Sequence, residues 1–253
     1  MRASRRGLSR PILRMSLTIT PVTSRRDLAL FLSLPRRLYA GNPHYVAPLD
    51  HDRAQLLDPR KSAFHTHGEA KYWLARRDGR PVGRISAQLD HLATGPMHDG
   101  VGCFGCLDAI DDREVVAALL ETAGAWLAAS GKTLIRGPFL LSINGESGLL
   151  IAGHDRPPMV MMPWHPPYLQ AHVEACGFVL AKSLNSWFST VAAAISPSAC
   201  NRSAWNGGGG ALMSAPCAWI IWTRTPRPGA CSSTVPGRPI GASCPSRRQK
   251  WRR

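Results

Sequence analysis

After Glu174 this 253-residue chain contains no Asp or Glu, and that single change separates a stretch able to build a packed domain from one that is not. The net charge of +15 is carried almost wholly by the ends. Residues 1–14 hold five Arg and no acid, and residues 189–253 hold nine Lys or Arg and no acid. Residues 15–188 hold 17 basic and 16 acidic residues, a net of +1. A whole-chain reading would point to nucleic acid or an anionic surface. Since the basic excess avoids the balanced part, the expectation is no nucleic-acid partner. The balanced 174 residues suffice for one domain with its own core.

Beyond residue 188 the composition changes in kind. Cys200, Cys217, Cys231 and Cys244 are four of the seven Cys, and Trp205, Trp219, Trp222 and Trp251 are four of the eight Trp. No period of 3.6 or of 2 persists there. A GC-rich gene read out of frame gives this mixture. A disordered basic tail is the other reading, and the Cys and Trp count against it. Residues 1–14 are expected to be disordered or an over-extended start, with Met15 opening the domain. No run reaches the ~18–20 apolar residues of a spanning helix. The balanced part has only Cys103, Cys106 and Cys176, no disulfide framework, so a reducing cytoplasmic setting is expected.

Within 15–188, Leu17 to Val22 alternates as a strand. Ser24 with Asp27 marks a helix start, and Pro35 is expected to kink or break that helix. Tyr39 to Leu49 reads as a loop. Lys71 to Gln88 reads as a hairpin turned on Asp78-Gly79. Val101 to Leu107 is a strand, and Asp111 with Glu114 has capping-box spacing. Val115, Val116, Leu119, Leu120, Ala123 and Leu127 make one helical face, closed by Gly131. Thr133 to Arg136 is a strand, Pro166 to Ala175 a short helix, and Phe178 to Ala181 a last strand. The expected class is mixed α/β (α+β), a central sheet flanked by helices.

Asn144, Glu146 and His154 fall in a Gly- and Pro-bounded loop between a strand and the last helix, and loops on a rigid scaffold often carry chemistry. Glu146 or His154 could accept a proton there, and Asn144 could hold substrate; a solvated carboxylate and a surface imidazole are the plainer alternatives. Cys103-x-x-Cys106 lacks a second pair, and residues three apart on a regular strand face opposite ways, so a buried structural role is expected and no metal. His65-Thr66-His67 has no third ligand nearby. Cys176 sits at a helix C-terminus, where the dipole disfavours thiolate.

Three segments carry a resemblance to a known fold. "RDGRPVGRISA" (Arg77–Ala87), "GCFGCLDAIDDREVVAALLETAGAWLAASGKTLIRGP" (Gly102–Pro138) and "PPYLQAHVEACGFVLAK" (Pro166–Lys182) resemble the GNAT superfamily of acyl-CoA N-acyltransferases. "LPRRLYAGNPHYVAPL" and "GPFLLSINGESGLLIAGHDRPPMVMM" are similar to a bacterial subfamily related to ceramide synthases, which acylate a sphingoid amine. Members of that subfamily run longer, so residues 15–188 correspond to an N-terminal half. The resemblance implies acetyl-CoA or a longer acyl-CoA as co-substrate, a small-molecule or lipid amine as acceptor, and peripheral contact with a membrane. It implies Tyr168 beside the leaving thiolate and backbone donors along Gly102, Phe104 and Gly105. The Q/R-x-x-G-x-G/A turn common in that superfamily is missing. Its equivalent, Ala109 to Glu114, is acidic, with Arg113 the residue able to meet a pyrophosphate. A non-catalytic acyl-CoA or lipid-binding module, or an inactive product, is the alternative.

Overall fold

The computed structural model describes residues 16–95, 98–186, 188–189, 212–213 and 218–225. The strands are β1 (Leu17–Pro21), β2 (Gly68–Arg77), β3 (Arg80–Asp90), β4 (Val101–Ala109), β5 (Leu134–Gly137), β6 (Leu149–Ala152), β7 (Val179–Asn185), β8 (Phe188–Ser189), β9 (Leu212–Met213) and β10 (Ala218–Arg224). The helices are α1 (Arg25–Leu38), α2 (Asp50–Leu57), α3 (Arg113–Ala129) and α4 (Tyr168–Ala175). The expected class is borne out: a mixed sheet runs β1-β2-β3-β4-β5-β10-β6, with helices on both faces. Every pairing on that path is antiparallel except β4 with β5. One edge of β10 is shared by β5 and β6, and its other edge takes β7.

The β2–β3 hairpin forms because Asp78 and Gly79 adopt φ of 49° and 76°, matching the twist of the flanking strands. Asp78 also accepts a hydrogen bond from the Ser16 backbone N–H, tying β1 to the turn. Alternate residues of β3 then face opposite ways. Ile85, Ala87 and Leu89 join Phe104, Leu107 and the Val115–Leu127 stripe of α3 in the main core, with Leu169 and Val173 of α4. Leu74 and Leu141 meet Phe31 and Leu34 of α1 on the opposite face. Arg84, Ser86 and Gln88 share that α1 side by the same alternation.

Three expectations change in detail. Helix α1 is not broken at Pro35: it continues to Leu38, and the Pro35 carbonyl still accepts from the Tyr39 N–H. The α3 cap is Asp112, not Asp111; its Oδ1 accepts from the N–H groups of Glu114 and Val115 at 2.9 and 3.4 Å. Asp111 instead meets His172 Nε2 at 2.7 Å. Asp112→Ala should therefore lower unfolding free energy by about 1 kcal/mol, and Asp111→Ala by less, in paired urea titrations. Third, β4 carries a bulge. Arg84 pairs with Asp108 but Ser86 with Gly105, and Cys106 takes a φ of 46°. The extra residue re-aims the strand, so Cys103 and Cys106 do not alternate as a regular strand would require.

Candidate active site

On the α1 side of β3 and β4 lies a cavity of about 300 Å³. Its inner part is polar and buried. Arg84 Nε donates to Asp108 Oδ2 at 2.8 Å, and the Tyr39 hydroxyl donates to Asp108 Oδ1 at 2.9 Å. Arg84 Nη1 donates to the Phe31 carbonyl at 2.7 Å, and the guanidinium lies 4.9 Å from the Phe31 ring centre. Burial alone would lower the Arg84 value, but the Asp108 carboxylate outweighs it and holds the cation charged. Burial, reinforced by Asp108, raises the Tyr39 phenol well above its ordinary value. A carboxylate with both oxygens engaged by a cation and a phenol is a fixed negative centre in a low-dielectric wall.

His165 lines the same cavity and is buried. Its Nδ1 accepts the Leu150 N–H at 3.2 Å. Burial pushes its pKa down to about 4, so the ring is neutral at pH 7. The sign of the linked stability follows. Between pH ~6.5 and about 4 the unfolded chain binds a proton here that the folded chain does not, so stability falls as pH drops through this window. Unfolding free energy should decrease by up to about 3 kcal/mol from this group between pH 7 and 4. Comparing urea midpoints of wild type and His165→Gln across that range isolates it; parallel curves would show that His165 does not titrate this way.

The mouth is apolar. Val46, Pro48 and Met159, Val160 and Met161 line it, and Val160 is 91% exposed. Tyr39, Tyr45 and Trp164 pack edge-on in a three-ring cluster, with centroid distances of 5.0, 5.4 and 5.8 Å.

Of the residues expected from sequence, Glu146 lines this cavity, ion-paired with Arg53. The others lie elsewhere. Tyr168 is half-buried on the α3 side, and its hydroxyl donates to the Ala109 carbonyl at 2.7 Å. His154 is not in the cavity lining, and Asn144 is exposed on the 142–148 loop. Gly102 is a packing position, where an added Cβ would come within 2.5 Å of Leu127. Phe104 is fully buried, edge-on to Phe178. Gly105 abuts the Phe139 carbonyl. Arg113 is exposed at the start of α3, where Asp112 already occupies two N–H groups that an anion would use. No group of three or more His, Cys, Asp or Glu able to hold a metal occurs among the described residues. Burial pushes the Cys103 thiol up to about 11 and raises Cys106 too, which keeps both protonated.

No protein-family profile matches the sequence. A protein named bacterial ceramide synthase, from Caulobacter vibrioides, is 43% identical over 169 residues, covering 66% of this chain and 44% of that protein. Protein YghO of Escherichia coli is 41% identical over 165 residues, covering 65% of this chain and 42% of that protein. The chain is a homologue of both. It spans less than half the length of either homologue. Among solved structures, a tandem GNAT protein from the clavulanic acid biosynthesis pathway gives a TM-score of 0.48 at 16% identity, over 69% of this chain and 48% of that one. An N-acetyltransferase from Staphylococcus aureus Mu50 gives 0.46 at 10% identity, over 84% and 99%. These two are likenesses of outline. No helix among the described residues is long and apolar enough to cross a membrane.

Proposed function

We propose that this chain carries the site of an acyl-CoA-dependent N-acyltransferase whose acceptor is a primary amine on a long aliphatic chain, a sphingoid base by kinship. The observation that carries this reading is the 43% identity to a protein named bacterial ceramide synthase. The cavity supports it: an apolar mouth accommodates an aliphatic tail, and the polar inner wall suits a polarised carbonyl and an amine. The amine nitrogen attacks the thioester carbon, the C–S bond breaks, and the nitrogen loses a proton as the thiolate gains one. Glu146 lines the cavity and takes the amine proton in this reading, directly or through water. Tyr168, whose hydroxyl donates to the Ala109 carbonyl at 2.7 Å, is the candidate acid for the leaving thiolate in this reading. The exposed Val46, Met159, Val160 and Met161 would rest against a lipid surface, giving peripheral membrane contact in a cytoplasmic protein.

The test is CoA release from acetyl-, octanoyl- and palmitoyl-CoA, with and without sphinganine, followed with a thiol-reactive chromophore. Release that needs both substrates is expected, and Glu146→Gln should lower kcat about 100-fold. The second reading, a non-catalytic acyl-CoA or lipid-binding module, is favoured by the self-capped start of α3. Calorimetric binding of acyl-CoA with no amine-dependent release would establish it.

A further inference from the structure

We propose that His165 is a hydrogen-bond donor to the reacting group in this cavity: a neutral imidazole that presents Nε2–H to the acyl carbonyl oxygen. The inference rests on the acyl-transfer reading above and assigns a residue within it.

The tautomer follows from one contact. A backbone N–H is an obligate donor, and the Leu150 N–H points at His165 Nδ1 at 3.2 Å. Nδ1 must therefore offer its lone pair. A proton on Nδ1 would oppose two N–H groups inside the protein. The neutral ring can then carry its proton only on Nε2. Leu150 is itself buried in β6, so the bond is shielded from competing water.

The hydrogen bond described for the ring is at Nδ1, and His165 lines the cavity. Asp108, whose charge the ring feels, takes its hydrogen bonds from Arg84 Nε and the Tyr39 hydroxyl. A donor fixed in a cavity wall is met by water or by a ligand oxygen, and a ligand oxygen placed there takes over the bond. A carbonyl oxygen fits, and the oxyanion that forms on it fits better, because a preorganised donor gains most where charge develops. The ring cannot serve as the base: accepting a proton at Nε2 would first require moving one onto Nδ1, against Leu150.

The electrons balance without a proton passing through His165. As the amine nitrogen attacks, the C=O pair moves onto oxygen and is held by Nε2–H. The C=O bond reforms as the C–S bond breaks, and His165 ends as it began. It differs from Glu146, which exchanges a proton.

Two measurements on the full chain test this. The first is nitrogen-15 NMR of the histidine side chains, before and after addition of a ketone analogue of acyl-CoA that cannot transfer its acyl group. The Nε2–H tautomer is expected for His165 across pH 5–8, with its Nε2 proton resonance shifting on binding. An Nδ1–H tautomer, or an Nε2–H unmoved by saturating analogue, would overturn the proposal. The second is a pair of variants. Gln places an amide N–H close to where Nε2–H stands, and Leu places none. His165→Leu should lose about 100- to 1,000-fold in kcat with KM within a few-fold. His165→Gln should retain kcat to within about tenfold. Equal losses in both would reject the donor role, and so would full activity in His165→Leu. If the leucine variant does not fold, the NMR result on wild type decides. Wild type lacking amine-dependent CoA release would sink the acyltransfer reading alone, while the analogue titration would still judge the donor.

Discussion

Arg84→Met should lower unfolding free energy by about 3–5 kcal/mol, the range for leaving one member of a buried ion pair alone. Asp108 is 6% exposed, and Arg84 is its cationic partner at 2.8 Å. Removing the guanidinium leaves a carboxylate held by the Tyr39 hydroxyl alone, in a wall that water reaches poorly. The Phe31 carbonyl loses its Arg84 donor in the same step. Methionine fills a similar length, so the loss measures charge more than volume. Urea denaturation at pH 7 is the measurement. The double variant Arg84→Met with Asp108→Leu should recover much of the loss, because an apolar replacement of a whole buried pair is often neutral. A single-variant loss under 1 kcal/mol would mean that water enters the cavity and solvates Asp108.

Gly105→Ala should be comparably damaging, at about 3 kcal/mol or more, for a steric reason. An added Cβ would lie 1.8 Å from the Phe139 carbonyl oxygen. That obstacle is backbone, so no rotamer relieves it. The segment is held from several sides: Phe139 N–H donates to the Phe104 carbonyl at 2.8 Å, and Gln88 Nε2 donates to the Phe139 carbonyl at 2.8 Å. On the other strand, a Cβ at Gly137 would meet the Phe104 carbonyl oxygen at 2.3 Å. Two glycines thus let β4 and residues 137–139 lie back to back. Gly41→Ala is the control, since nothing lies within 4 Å of its added Cβ; it should change stability by less than about 0.5 kcal/mol. A thermal melt of each variant decides, and a Gly105→Ala midpoint equal to wild type would show that the strands can part freely.

Local patterns made much of the fold legible. The Asp78-Gly79 turn, the Ser24 cap and the apolar stripe of α3 are short-range signals, and each lies where the sequence places it. The α3 cap is displaced by one residue because two adjacent Asp compete, and packing of His172 against Asp111 settles the choice. Helix α2 and strand β6 carry weak periodicity and are visible only through their partners. Strand β10 lies beyond residue 188, where composition argues against regular structure. Its residues Ala218 to Arg224 nevertheless pair with β5, β6 and β7, a strand that the sequence reading did not anticipate.

The site was less legible because it is assembled across distance. Tyr39 and Asp108 are 69 positions apart, and Arg84 and Phe31 are 53 apart. One signal was available: Arg84, Ser86 and Gln88 are polar at alternate positions of a strand otherwise buried, and Asp108 interrupts an apolar strand. Polar residues on an inward face mark a place where something polar must be met. Tyr168, read from its family-like position, packs on the α3 side with its hydroxyl on the Ala109 carbonyl.

Tyr39, Tyr45 and Trp164 join the loop after α1 to the segment before α4 through three mutual ring contacts. Each edge-on contact is worth about 0.5–1.5 kcal/mol beyond its buried area, so the two segments, which bring Tyr45 and Trp164 to the cavity lining, are riveted to one another. On the acyl-transfer reading proposed above, such an aperture would act as a collar that discriminates by girth: a straight, unbranched tail would thread it end first, whereas a bulky or branched one would be stopped at the rim whatever its length.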